Sequence, residues 1–183
     1  MSLFYHPTEK EILNTRNKIF LEYGATELYK NNFIKSPFST AWFGRNNLGS
    51  YTYEFIRLND NSILDFLVVH IIKGDKYIQH FLNRFQLENV IQNYNDLDGK
   101  DALNLYLPPL SITEMRLRSD DYKFIPVITP LLYSEHKIGS FFTKKGFNNK
   151  VHKLSRLIRE DCKNIDRFVK RWHEKFSLQT VHL

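Results

Sequence analysis

At 183 residues, with 42% hydrophobic, 25% charged and 15% aromatic side chains, the chain is long enough to bury a core without disulfides or a structural metal, and its composition excludes a disordered or low-complexity protein. The net charge of +6 is uneven: residues 1–135 carry 14 Lys/Arg against 16 Asp/Glu, while 136–183 carry 12 against 4, so the last quarter stands at +8. Such asymmetry bears on partners and long-range field rather than on fold.

Thr8 with Glu11 forms a capping box, and Ile12, Leu13, Ile19, Phe20 and Tyr23 recur at helical spacing, which predicts a first helix over about 9–23, ended by Gly24. The aromatic and β-branched runs "FSTAWF", "SYTYEFIRL" and "ILDFLVVHIIK", separated by the turn-like "GRNNLGS" and "NDNS", predict a three-stranded antiparallel meander over about 38–73. Tyr77, Ile78, Phe81, Leu82, Phe85 and Val90 return to helical spacing and predict a middle helix over about 75–93. Residues 94–149 read as an irregular mixed region. "LNLYL" is a candidate strand before Pro108, Ser111 with Glu114 suggests a short capped helix, and the prolines of "YKFIPVITPLLY" suggest an edge strand. A long basic amphipathic helix follows over about 150–176. The expected fold is a single α+β domain, an antiparallel β-meander packed with N-terminal, middle and long C-terminal helices.

No nucleophile elbow, phosphate-binding Gly-rich loop or dinucleotide fingerprint occurs. "YNDLDGKDALN" imitates a calcium loop, but with Gly99 at the sixth position, Tyr94 falls at the first, where a carboxylate is required, and no Glu stands at the twelfth. The seven histidines and single cysteine show no metal-ligand spacing, so no metal site and no cofactor is expected. The N-terminal "MSLFYHPTEKE" has no basic segment followed by an apolar one, the longest apolar run is far too short to cross a bilayer, and Cys162 has no second thiol to pair with. Together these predict a soluble cytoplasmic protein, with no membrane contact.

Three functional readings remain. If residues 59–62 form a four-residue loop, opposed positions of the second and third strands sum to 121, and Glu54 and Asp65 become diagonal neighbours with Lys73 further along. That outlines a metal-dependent nuclease, with Glu54, Asp65 and Lys73 as candidate catalytic residues. The other face of the hairpin would be a half-covered, polar one. The second and third readings rest on the C-terminal helix. At 100° per residue, Val151, Leu154, Ile158, Cys162, Ile165, Val169, Trp172 and Phe176 form an apolar stripe, and His152, Arg156, Arg159, Lys163, Arg167 and Lys170 form a ridge roughly opposite it. Like charges at i, i+4 oppose one another by about 0.2–0.5 kcal/mol per pair, a cost repeated along the ridge. The ridge would span about 27 Å at 1.5 Å per residue and follow several phosphates. The favoured reading is a non-enzymatic binding protein that engages an anionic macromolecule, nucleic acid ahead of an acidic protein. In the third reading, a protein-interaction module of the inhibitor or immunity type, Trp42, Phe43 and Tyr51 supply an aromatic anchor beside the ridge. Oligomeric state has no signature.

Overall fold

The structure is a computed structural model that describes residues 5–120, 134–139, 141 and 143–183. It is an α+β fold built on one mainly antiparallel sheet. Among the described residues seven strands take part: β1 (Ile34–Lys35), β2 (Phe43–Arg45), β3 (Tyr51–Asn59), β4 (Ile63–Ile71), β5 (Gln79–Leu87), β6 (Met115–Arg116) and β7 (Gln179–Val181). The central order is β1-β3-β4-β5-β6, with β2 pairing the start of β3 and β7 running parallel to the end of β5. The meander is therefore present, but its third long strand is the segment read as the middle helix. Gln79–Leu87 is extended because β5 lies between neighbours and both its faces are covered. Apolar residues then occur at both parities, and positions 78, 81, 82 and 85 imitate a helical period.

The hairpin between β3 and β4 also differs from expectation. Its loop has three residues, with Asp60 (φ 52°) and Asn61 (φ 56°) in the left-handed region that short polar side chains tolerate. Opposed positions consequently sum to 122: Arg57 faces Asp65, and Glu54 faces Val68.

Register sorts the side chains into two cores. Tyr53, Phe55, Leu67, Val69, Ile71 and Leu82 turn towards the helices. Ile56, Leu64, Phe66, Val68 and Phe85 turn the other way, under Phe38, Leu97, Ala102 and Leu105. The second face is thus apolar, not the polar surface expected. It is roofed by short 3₁₀ turns at Tyr94–Leu97, Leu103–Tyr106 and Leu110–Thr113. The strand expected at "LNLYL" and the helix expected after Ser111 are replaced by two of these turns and β6. The proline-containing stretch from 122 to 133 lies outside the described residues. In the calcium-like loop, Asp96 accepts the backbone N–H groups of Gln92 and Asn93, and Asp101 accepts that of Leu103, so both serve as local caps.

The N-terminal helix does not stop at Gly24. From α1 (Glu9–Ile19), capped by Thr8, it continues through a π-helical turn at Phe20–Ala25 into α2 (Thr26–Lys30). Gly24 is needed for a close approach: a Cβ there would stand 2.7 Å from the Phe20 ring and 3.0 Å from Ile158 Cγ2. The C-terminal helix begins earlier than expected, capped by Thr143, and is interrupted at Asn164 to give α3 (Lys144–Lys163) and α4 (Ile165–Lys175). Leu154, Ile158, Cys162, Ile165, Phe168 and Trp172 are buried in the helix-side core. Trp172 also donates its indole N–H to the Thr113 carbonyl at 2.7 Å. Burying a large side chain of this kind contributes about 1.5–3 kcal/mol, which explains why the stripe dictates how these helices seat.

Candidate anion-binding face

The side of α3 opposite its buried stripe is basic. Between Lys144 and Lys163 the helix holds seven Lys/Arg against Glu160 and Asp161, and Asp161 is buried. His152, Arg156, Arg159 and Lys163 are exposed, and among the described residues none of them is ion-paired. His152, Ser155, Arg156 and Arg159, with Tyr23 from the N-terminal helix, line a surface pocket of ≈ 360 Å³. The Arg159 guanidinium lies 4.6 Å from the centre of the Tyr23 ring, a cation–π contact that directs the group without neutralising it. The α3 C-terminus is pinned by Asn31, whose amide donates to the carbonyls of Cys162 (3.1 Å) and Lys163 (3.2 Å). Such an arrangement offers two guanidiniums and an imidazole to an anion from one rigid element.

The break at Asn164 divides the predicted ridge. Arg167 and Lys170 belong to α4, and both are exposed, but Arg167 is committed: its guanidinium donates to Asp161 Oδ1 at 2.9 Å and lies 4.7 Å from the Phe168 ring. Lys170 carries no such contact among the described residues.

Asp161 itself, 1% exposed, is the centre of a cluster that sequence reasoning passed over. Besides Arg167 it accepts from Arg118 in a two-pronged pair, with Nε at 2.7 Å, and from His136 Nε2 at 2.6 Å. His136 Nδ1 stands 3.2 Å from Nδ1 of His80, a fully buried imidazole whose pKa burial pushes well below its usual value. The available signal was spacing. Asp161 lies seven residues from Leu154 and Phe168, three from Ile158 and four from Ile165, all core positions, so its wheel position was that of a buried acid. Burial opposes ionisation of Asp161, but hydrogen bonds from His136 and Arg118 outweigh it and hold the carboxyl at about 2, against 3.8 for the free side chain.

A depressed folded-state pKa adds stability that is complete above the unfolded value and lost as pH falls through the folded one. Asp161 should therefore contribute on the order of 2 kcal/mol near neutrality, disappearing between about pH 4 and pH 2. The check is chemical denaturation across that range with wild-type and Asp161→Asn protein. The variant should lose this part of the acid slope, and an unchanged slope would show that Asp161 does not carry it.

The nuclease outline is not assembled. Glu54 and Asp65 have opposite parity in a register that sums to 122, so their side chains lie on opposite faces of the sheet. Asp65, fully buried, is held by Arg57 and Arg84 on the helix-facing side. Lys73 is exposed beyond the end of β4, where it lines a different pocket with Lys10, Arg45 and Tyr51. No group of three or more potential metal ligands exists among the described residues. The aromatic anchor is divided as well: Phe43 and Tyr51 pack half-buried on the helix-side core. Trp42, which is 44% exposed, lines a pocket with Thr52, Glu54 and His70 on the opposite sheet face. None of the described helices is long and apolar enough to cross a membrane.

No family model, curated protein or solved structure matches this chain.

Proposed function

We propose that the protein is a non-enzymatic binding protein that engages the backbone of nucleic acid through the basic face of α3. The observation that carries this reading is the exposure of His152, Arg156, Arg159 and Lys163 on one helix face, with no carboxylate partner among the described residues. A merely solvated helix gains by interleaving signs at i, i+4, and on α3 the only exposed acid is Glu160. An acidic protein would satisfy the same charges, but a stable protein interface concentrates aromatics in a desolvated centre, and Trp42 stands on the other side of the sheet. A cytoplasmic setting belongs to the same reading, since the chain's single cysteine has no second thiol to oxidise with.

No base-reading motif accompanies the face, so binding should depend on salt and not on sequence. Fluorescence anisotropy with short labelled single-stranded and duplex oligonucleotides of unrelated sequence is the direct test. Similar affinities are expected for all sequences. The slope of log K against log salt should be about −2 to −3, for one phosphate each at Arg156, Arg159 and Lys163. Absence of binding even at low salt removes the nucleic-acid reading and leaves the acidic-protein one.

A further inference from the structure

A second group of cations, separate from those of α3, gathers where the start of α1 meets the ends of β2 and β4. The pocket there measures ≈ 580 Å³, within the range of about 300–1,000 Å³ typical of small-molecule sites. Lys10 reaches it from the first turn of α1, Arg45 from the end of β2 and Lys73 from just beyond β4. Strand pairing brings the last two together: Arg45 stands opposite Tyr51, and Tyr51 opposite Ile71, two residues before Lys73. The Lys73 backbone N–H is tied to Ser50 Oγ at 2.9 Å. Both side chains lie over Gly49, where a Cβ would stand 3.5 Å from Arg45 Nη2 and 4.0 Å from Lys73 Cδ. All three cations are exposed, and among the described residues none of them is ion-paired. Like charges converging from three elements repel one another, and an anion seated between them relieves that repulsion.

Charge and lining narrow the class of anion. Against the three cations the pocket sets one carboxylate, Glu9, which leaves a surplus of two positive charges. A phosphate monoester carries about −1.5 to −2 near neutrality and offers three strong acceptor oxygens, whereas a phosphodiester carries a single charge. The Arg45 guanidinium is a fork suited to two of those oxygens, and the lysines act as point charges. A bare phosphate would leave much of the pocket unfilled. Buried Leu13 and the half-buried Tyr51 ring supply an apolar floor for an organic portion, and the Asn14 amide a polar edge.

We propose that this pocket binds a small organic phosphate monoester, with Lys10, Arg45 and Lys73 around the phosphate and Leu13 and Tyr51 beneath the organic part.

The experiment is calorimetric titration of the full chain with adenosine 5′-monophosphate, with adenosine 3′,5′-cyclic monophosphate as the singly charged diester and adenosine as the neutral control. The monoester should bind at least about tenfold more tightly than adenosine and several-fold more tightly than the cyclic diester, because charged hydrogen bonds to the dianion are what the pocket adds. Arg45→Gln combined with Lys73→Gln, both at exposed positions, should weaken the monoester by about tenfold or more. Glu9→Gln removes the opposing carboxylate and should tighten it. The variant carrying Arg156→Gln, Arg159→Gln and Lys163→Gln should bind the monoester as wild type does, so the pocket stands or falls apart from the nucleic-acid reading of α3. The proposal is overturned if the monoester does not bind, if the cyclic diester or adenosine binds equally, or if the Arg45/Lys73 variant keeps full affinity. Loss of monoester binding in the α3 variant would place the phosphate on α3 and overturn it as well.

Discussion

Asp65→Ala should destabilise the protein by about 3–5 kcal/mol and lower its melting temperature by about 10 °C or more, the largest stability effect expected from a single substitution here. Asp65 is fully buried, and three groups converge on it. Arg57 donates to Oδ2 through Nε at 2.8 Å, the Asn59 amide donates to the same oxygen at 2.8 Å, and Arg84 Nε donates to Oδ1. Removing the carboxylate leaves two guanidiniums in a protein interior without their counter-charge, and an unpaired buried charge costs far more than the pair contributes. Arg57 retains a partial outlet, because its Nη2 also donates to Asp166 of α4 at 2.7 Å and its guanidinium lies 4.6 Å from the Phe33 ring. Among the described residues the Arg84 guanidinium has only the His173 imidazole as a further partner, so its desolvation should dominate the loss. Thermal melting of wild type and Asp65→Ala, with Asp65→Asn as the variant that keeps side-chain volume, measures the effect. A melting point within a degree or two of wild type would show that these arginines reach water without Asp65.

The same aspartate shows why part of this architecture was legible in the sequence and part was not. The meander was legible because β3 and β4 are dense in aromatic and β-branched residues, and the C-terminal helix because its apolar residues keep a 3.6-residue period over more than six turns. The hairpin loop was harder. Three residues and four look alike in "LNDNSI", and what decides is that both Asp60 and Asn61 adopt positive φ. A slip of one residue changes every cross-strand pair: a four-residue loop makes Glu54 and Asp65 neighbours, whereas the three-residue loop puts them on opposite faces. β5 was misread for a related reason: a strand covered on both sides carries no alternation to recognise. The Asp161 cluster was out of reach in its partners, since His80, Arg118 and His136 come from distant segments joined only by the fold. The Glu54 pocket likewise depends on Tyr106, carried by a 3₁₀ turn where a strand was expected.

For the basic face, the structure changes which substitutions make a clean experiment. Arg156, Arg159 and Lys163 are exposed, make no ion pair among the described residues and lie on α3 alone, whereas Arg167 is tied to buried Asp161. Replacing the first three with Gln should leave the fold intact, because Gln is nearly as good a helix former as Lys or Arg. Each lost phosphate contact lowers the slope of log K against log salt by about 0.7–0.9, so the triple variant should flatten it by about 2–3 and bind nucleic acid about a hundredfold more weakly near 0.1 M salt. The loss should be uniform across sequences, since phosphates and not base edges are being released. Arg167→Gln is the contrasting variant: it removes a bond to a buried carboxylate and should lower the melting temperature while leaving the salt slope nearly unchanged. The two outcomes therefore separate along different observables. If Arg167→Gln instead flattens the slope as much as each α3 substitution does, the interface continues past Asn164 into α4. If the triple variant binds like wild type, the cationic face of α3 is only solvated, and any nucleic-acid affinity resides elsewhere on the molecule.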